Sequence, residues 1–448
     1  MIVDPELQFW LVVWLVAAVT ILVRQWRAGG GVGLVFAYVL SFAAIHWLAA
    51  ALYAMPWYAG PSQYFTLVGL RVSTIGLIAF GIGCELGGAV FNREGGRVPV
   101  PVEGREISPR IVVCFIVSGA VFYAGISPLV AGLPTIAGLA STGAWLMIVG
   151  VIFGAWNAWQ RGHRLVVWIW LAASIVFPAV TVVGQGFLGF GFAAMVVVAT
   201  FIASVYRPRW HVVVAALLVG YVGLSVYVTY MRDRRDIRAV VWGGAAVGSR
   251  LDQLAETLDT MEWFDVENSE HLWRIDDRLN QNHLVGRAVE SIDTGLVEPA
   301  LGGTLVEAAL ALIPRAIWPN KPVMAGSGDL VSTYTGLTFV GDTSVGIGHV
   351  MEWYVNFTMP GIVLGFALFG TVLVYVDRSA FVWLYRGHAG RFAMWFMPGI
   401  SLLVVGGSFV ELTGTAAASA ALVWLLRRVT DRWDGGQPGY LGAVVDAT

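Results

Sequence analysis

Apolar residues in this chain fall into long, nearly unbroken runs rather than into the short alternations of a soluble fold. Runs long enough to cross about 30 Å of hydrocarbon as helices lie near 8–23, 32–54, 64–90, 111–127, 143–160, 165–183, 186–206 and 211–229. After a long gap, further runs appear near 353–376, 392–409 and 411–426. The pattern predicts an all-α polytopic membrane protein with about eleven transmembrane helices. Segment 128–142 is apolar but broken by Pro and Gly, and reads as a re-entrant or interfacial piece.

The gap is polar and carries helical signals of its own. Residues 250–264 and 271–292 show apolar positions at helical spacing: Leu251, Leu254 and Leu258 share one face, as do Leu272, Ile275 and Leu279. Residues 303–313 predict a short apolar helix ended by Pro314, too short to span and suited to lie against the bundle. Four regions follow: a membrane bundle of about eight helices over 1–229, a large loop over 230–352, about three further helices over 353–433, and a tail over 434–448.

Charge orients this arrangement. Arg24 and Arg27, Arg93 to Arg110, Arg161 and Arg164, Arg207 and Arg209, Arg378 to Arg391, and Arg427 to Arg432 all fall on alternate connections, whereas short connections such as 55–63 carry none. Arginine retained on one side marks that side as cytoplasmic. The N-terminus and the large loop are therefore expected outside and the C-terminus inside. Residues 1–23 start acidic and place their positive charges after the apolar run, which reads as a first span rather than a cleavable leader.

Composition agrees: 57% of residues are hydrophobic and only 12% charged, more apolar surface than a soluble fold of this length hides. A net charge of -2 gives no reason to expect nucleic acid as a partner. Cys84 and Cys114 both lie in apolar runs, so neither a disulfide on the loop nor a cysteine metal cluster is expected. No phosphate-binding glycine loop, dinucleotide fingerprint or zinc-protease motif is present.

Three clusters concentrate chemistry. YMRDRRDIR (230–238) follows the eighth run; its Arg232 and Asp233 belong either to a self-paired charged collar or to a cradle for an anionic head group such as pyrophosphate. IPRAIWPNKP (313–322) holds Arg315, Trp318 and Lys321, the only lysine in the chain, on a proline-stiffened turn. Cations beside an aromatic ring suit a sugar phosphate, although a stiffened interfacial turn would look the same. In DTSVGIGHVMEWYVNFTMPG (342–361), His349, Glu352 and Asn356 share the face of a helix entering the membrane. Glu352 suits a general base or the ion-pair partner of Arg315, because an isolated buried carboxylate is costly. In the third run, Arg71 and Glu85 lie too far apart to pair with each other. Glu411, between the last two runs, reads as a support charge or a cavity charge.

PRAIWPNKP, SVGIGHVMEWYVNF with the glycine-rich run behind it, and upstream YMRDRRDIR and RLNQNHLVGRA resemble segments of Wzy-type oligosaccharide repeat-unit (O-antigen) polymerases. The resemblance covers residues 225–380; the N-terminal half matches in hydropathy and number of runs. Arg315 and Gly326 show the Arg-x10-Gly spacing of some members, and Arg232 and Gly243 show it too. Thr358 stands where a glycine often follows Asn-Phe. The resemblance implies a metal-independent glycosyltransferase of C-type membrane architecture in the bacterial cytoplasmic membrane, without a cofactor. It would join undecaprenyl-pyrophosphate-linked oligosaccharides, working beside a flippase and a chain-length regulator. The implied catalytic residues are Glu352, Arg315, Asp233 and His283. Lys321, Arg232, Arg278, Trp318, Asn356 and Tyr354 would bind substrate. An O-antigen-ligase-like transferase, a transporter of lipid-linked sugar and a loop that only docks a partner are the competing expectations. Charge gathered at the loop rather than at mid-membrane weighs against transport.

Overall fold

The computed structural model describes residues 4–93, 104–130, 134–206, 210–313, 318, 326–339 and 345–434. The described residues are helical and contain no strand. The first elements are α1 (Pro5–Ala28), α2 (Leu34–Phe42), a π turn (Ala43–Trp47), α3 (Leu48–Leu52) and α4 (Gln63–Arg93). Next come α5 (Pro109–Val121), a second π turn (Phe122–Ile126), α6 (Ser127–Leu129), α7 (Pro134–Gly143), α8 (Trp145–Gln160), α9 (Arg164–Ala173), α10 (Val176–Gln185) and α11 (Leu188–Tyr206). The long α12 (Trp210–Trp242) leads into α13 (Val247–Asp259), α14 (Ser269–Leu279), α15 (Gln281–Asp293), α16 (Gly303–Ala311) and α17 (Ser327–Thr335). The chain closes with α18 (Gly348–Tyr385), α19 (Ala389–Ser401) and α20 (Phe409–Asp434).

Nine helices among the described residues are long and apolar enough to cross a membrane, the architecture of a multi-pass membrane protein. Of the expected runs, 211–229 opens on residues (210–216) whose side chains lie outside the described set and is not tested by this count, whereas 392–409 is not among the nine. The first lies inside α12, which continues without a break through the charged YMRDRRDIR segment to Trp242. The second ends early: α19 stops at Ser401 and residues 402–408 form a turn before α20. Segment 128–142, expected as a re-entrant piece, is helical where described; α7 runs almost directly into α8, and the span covers Gly138–Gln160. The single helix expected over 271–292 is two. Asn280 leaves helical geometry and accepts from the His283 amide, while its Nδ2 donates to Asp276 and Thr66. An asparagine that offers its own cap lets the chain turn there.

Two close crossings set the core. α4 meets α18 where a Cβ at Gly83 would run into the carbonyl of Ala367 and one at Gly370 into that of Phe80. α4 meets α15 in the same way, with Gly69 against the Asn282 carbonyl and Gly286 against that of Phe65. Backbones approach this closely only where side chains vanish, and dispersion over the contact then replaces the hydrophobic drive that lipid cannot give. α15, a helix of the large loop, is thereby built into the bundle. Arg71 and Glu85 each find a partner on α1, Glu6 at 3.8 Å and Arg24 at 3.4 Å. The order of these pairs makes α1 and α4 parallel. α16 lies on α20, with Ala308 packed beside Phe409 and Leu412, as its short apolar sequence led one to expect.

Candidate functional site

The start of α18 is broken by its own sequence. Phe357 and Thr358 leave helical geometry, Thr358 at φ 51° and ψ -144°, with Pro360 just behind. A break frees carbonyls, and a buried free carbonyl needs a donor. Ala300, on the approach to α16, supplies one: its amide bonds to Val355 O at 2.8 Å. The first two turns of α18 thus form a short half-helix held by the loop.

That half-helix buries His349, Glu352 and Asn356 together, on the one face their spacing implied. Glu352 Oε2 accepts from the amide of Phe409 at 2.7 Å, the first residue of α20. The α20 terminus is itself closed by a capping box: Glu411 N donates to Ser408 Oγ, and Ser408 N donates to Glu411 Oε2. The positive end of α20 therefore faces the Glu352 carboxylate. Asn356 Nδ2 donates to Thr304 Oγ1 and to Glu352 O, both at 2.7 Å. Ser327, at the start of α17, donates to Glu411 Oε1 at 3.3 Å. Glu411 and Glu307 are within electrostatic reach of Glu352. Four buried polar atoms here have no hydrogen-bond partner among the described residues: Glu352 Oε1, Asn356 Oδ1, His349 Nε2 and Glu307 Oε2. Unmet polar atoms this deep cost free energy unless something fills the need, and their clustering here marks a candidate site among the described residues.

Behind the half-helix, a polar thread crosses the bundle. His46 Nδ1 donates to Asn282 Oδ1 at 2.7 Å, and Asn282 Nδ2 returns a bond to His46 O. Ser73 Oγ also donates to Asn282 Oδ1, at 3.2 Å. His349 Nδ1 meets the Tyr38 hydroxyl at 3.1 Å. His46 lies in the first π turn, a distortion that turns a side chain out of the helical register. His46, Asn282 and Glu307 were not among the sequence candidates. A lone histidine within an apolar run was the only available signal for His46, and the π turn that aims it left none.

The α12–α14 cluster divides in two. Arg232 holds Asp233 through Nε and Nη2, at 2.6 and 2.9 Å, and Glu262 through Nη1 at 2.7 Å. Glu262 also bonds His271 Nε2 at 3.0 Å and Arg274 Nη1 at 3.2 Å. Against the opposing effect of partial burial, bonds from Arg232 and His271 hold the Glu262 carboxyl down at about 2. The Arg232 bond likewise holds Asp233 below the ordinary carboxylate range. These residues form the self-paired collar. Arg234 differs. Burial, then the guanidinium groups of Arg278 and Arg238, push its pKa down. Arg234 makes no ion pair among the described residues, and Arg278 pairs only with the exposed Asp277 at 2.9 Å. Three guanidinium groups short of acid favour an anion.

Tyr354 donates to Asp293 Oδ1 of α15 at 2.8 Å. His283 Nε2 accepts from Arg287 Nε at 3.2 Å, and burial followed by Arg287 pushes its pKa down. Trp318 is described and partly exposed; Arg315 and Lys321 lie outside the described residues. The structure thus unites Glu352, Asn356 and His349, and separately Arg232 and Asp233. Among the described residues no side-chain bond joins the α18 group to the α12–α14 group. Nor do three His, Cys, Asp or Glu side chains among them meet in a metal-binding arrangement. No protein-family model matches the chain, and comparison with curated proteins and with solved structures finds no match.

Proposed function

We propose that this protein polymerises lipid-linked oligosaccharide repeat units at the outer face of the bacterial cytoplasmic membrane. The observation that carries the reading is the α18 half-helix, where Glu352 and Asn356 are buried with unmet oxygen atoms beside Glu411 and the start of α17. The sequence between α16 and α17 carries Arg315, Trp318 and Lys321. In this reading the acceptor hydroxyl oxygen attacks the anomeric carbon of the donor sugar, and the bond from that carbon to the pyrophosphate oxygen breaks. Glu352 takes the hydroxyl proton. Undecaprenyl pyrophosphate leaves with the bonding electron pair, and cations gripping it more tightly as charge develops lower the barrier. Arg315 and Lys321 are the proposed cations, and Asn356 and Trp318 would orient sugar. Arg234, with Arg278, is an added candidate for the pyrophosphate of the second lipid. Arg232 and Asp233 keep a structural part, because each is already bound to the other. The loop lies outside with the N-terminus, the C-terminus lies inside, and a flippase and a chain-length regulator are the proposed partners.

The test is the size and location of lipid-linked glycan in cells carrying Arg315→Ala or Glu352→Gln. Single repeat units accumulating on carrier lipid at the outer face, with long chains lost, is the expected result. Full-length chains made by both well-expressed variants would overturn the assignment. Long polymer stranded on carrier lipid would instead indicate a ligase-like transferase. A second reading, transport of a lipid-linked sugar, draws on the broken α18 and on the His46–Asn282–Ser73 thread, since transporters place polar groups at helix breaks inside the bundle. Repeat units trapped on the cytoplasmic leaflet would favour it.

A further inference from the structure

The apolar face of α13 is not where its packing is. Val247, Leu251, Leu254 and Leu258 recur at helical spacing, and such a stripe ordinarily faces the core. Of these, Leu254 packs against the buried cluster of Val182, Tyr230, Ile237 and Val241. Arg250 fixes the same side, donating to Val183 O at 3.4 Å and to Ala245 O at 2.8 Å, and Thr257 is buried there. Val247, Leu251 and Leu258 are left 62, 52 and 51% exposed. At 100° per residue these three sit within about 40° of one another. Asp252, Glu256 and Asp259 occupy the far side, all exposed. The helix is thus rolled so that one edge grips the bundle, one is apolar and open, and one is acidic and open.

Its depth says what the open apolar edge meets. Val182 and Val183 belong to the last turn of the candidate span Arg164–Gln185, and the next candidate span starts at Leu188. A helix packed on Val182 and Val183 lies at the border of the hydrocarbon layer, not out in water. Around it, Trp242 donates its indole N–H to Gln185 O, and Arg238 lies over the rings of Phe187 and Trp242. Amphipathic rings and snorkelling cations are the side chains that settle at a membrane border. Phe190, in the candidate span Leu188–Tyr206, and Leu218 and Val222 on α12 continue the exposed apolar surface. We propose that α13 is an interfacial helix of the leaflet at the loop end of the bundle, with Val247, Leu251 and Leu258 inserted among lipid acyl chains and Asp252, Glu256 and Asp259 turned to water. The proposal rests on the multi-pass membrane architecture and not on the polymerase reading. Its failure leaves that reading standing, and the reverse holds too.

The experiment is site-directed spin labelling of the full-length protein in vesicles of phosphatidylcholine and phosphatidylglycerol. Labels go at Leu251→Cys, Leu258→Cys, Glu256→Cys and, as an acyl-chain reference inside the candidate span Arg164–Gln185, Val176→Cys, with both native cysteines replaced. At 251 and 258, collision with oxygen should exceed collision with a water-soluble nickel chelate several-fold, as at 176, and position 256 should show the inverse ratio. Equal chelate access at 251, 256 and 258 would overturn the proposal by showing a helix in water. Protection of 251 and 258 from both reagents would also overturn it, showing that a second copy or another protein covers the face. Wild-type protein gives a second measurement that needs no substitution. Cross-linking by a phospholipid with a photoactivatable acyl chain should map to residues 247–258, and its absence there, with cross-links found on α12, would refute insertion.

Discussion

Asp377 offers the sharpest test of how distant parts of this chain depend on each other. It lies near the end of α18, yet its Oδ1 accepts from the amides of Val32 at 3.1 Å and Leu34 at 2.8 Å, over 340 positions earlier in the chain. Those amides open α2, whose own N-cap is Gly33, a residue with no side chain to offer. Gly33 holds φ 92°, and a Cβ on Gly31 would run into Asp377 itself. The glycine-rich connection therefore wraps a carboxylate supplied by another helix, and all three groups are buried. Asp377→Ala orphans two buried donors. At about 1–3 kcal/mol for each unmet group, the loss is about 2–6 kcal/mol. Asp377→Asn keeps an acceptor but lacks its charge; charged acceptors exceed neutral ones by about 1 kcal/mol per bond, so the loss is about 2 kcal/mol. Reversible unfolding in mixed micelles, followed by tryptophan fluorescence, measures both. Equal losses for the two variants, each under about 0.5 kcal/mol, would show that water satisfies these amides and would refute a carboxylate cap.

Thr358 at φ 51° and ψ -144° occupies a region that suits glycine, at a cost of about 1–3 kcal/mol for a residue with a Cβ. Thr358→Gly recovers most of that against about 0.5–1 kcal/mol of added chain entropy. It should therefore stabilise by about 1 kcal/mol in the same unfolding assay; destabilisation would mean the backbone is not strained there. Glu262 has a folded-state pKa of about 2 against an ordinary 4.5, so the stability it contributes is complete above pH 4.5 and disappears as pH falls from there through 2. Limited proteolysis of the 243–268 region should quicken across that window in the wild type. Glu262→Gln should be more susceptible at pH 7 and flatter across the window, and an unchanged acid profile in the variant would dissociate the collar from this carboxylate.

Hydrophobic runs told most of the story about class, because a bilayer imposes its thickness on every crossing segment and leaves that length in the sequence. The face shared by His349, Glu352 and Asn356 was legible because helical period alone aligns them. Asn280 and the Ser408–Glu411 box bond within three residues of themselves, yet the apolar pattern read 271–292 as one helix and Glu411 as a support or cavity charge, because a period of apolar positions says nothing of which side chain turns back to cap. Other features had no local trace. The length of α12 was hidden because a charged segment can continue a helix once Glu262, a residue from a later connection, neutralises Arg232. Pairing also ties Arg232 and Asp233 to each other and leaves Arg234 without an ion pair among the described residues. Asn282 at His46, Asp377 at the start of α2 and Ala300 at the α18 break each join positions separated by tens to hundreds of residues. The sequence determined that the chain lies in a membrane and which residues share a helical face, both consequences of short-range geometry and solvent. Which polar groups are satisfied, and which remain open for a ligand, was decided only when the helices packed, because a hydrogen bond depends on the partner that tertiary structure brings within about 3 Å.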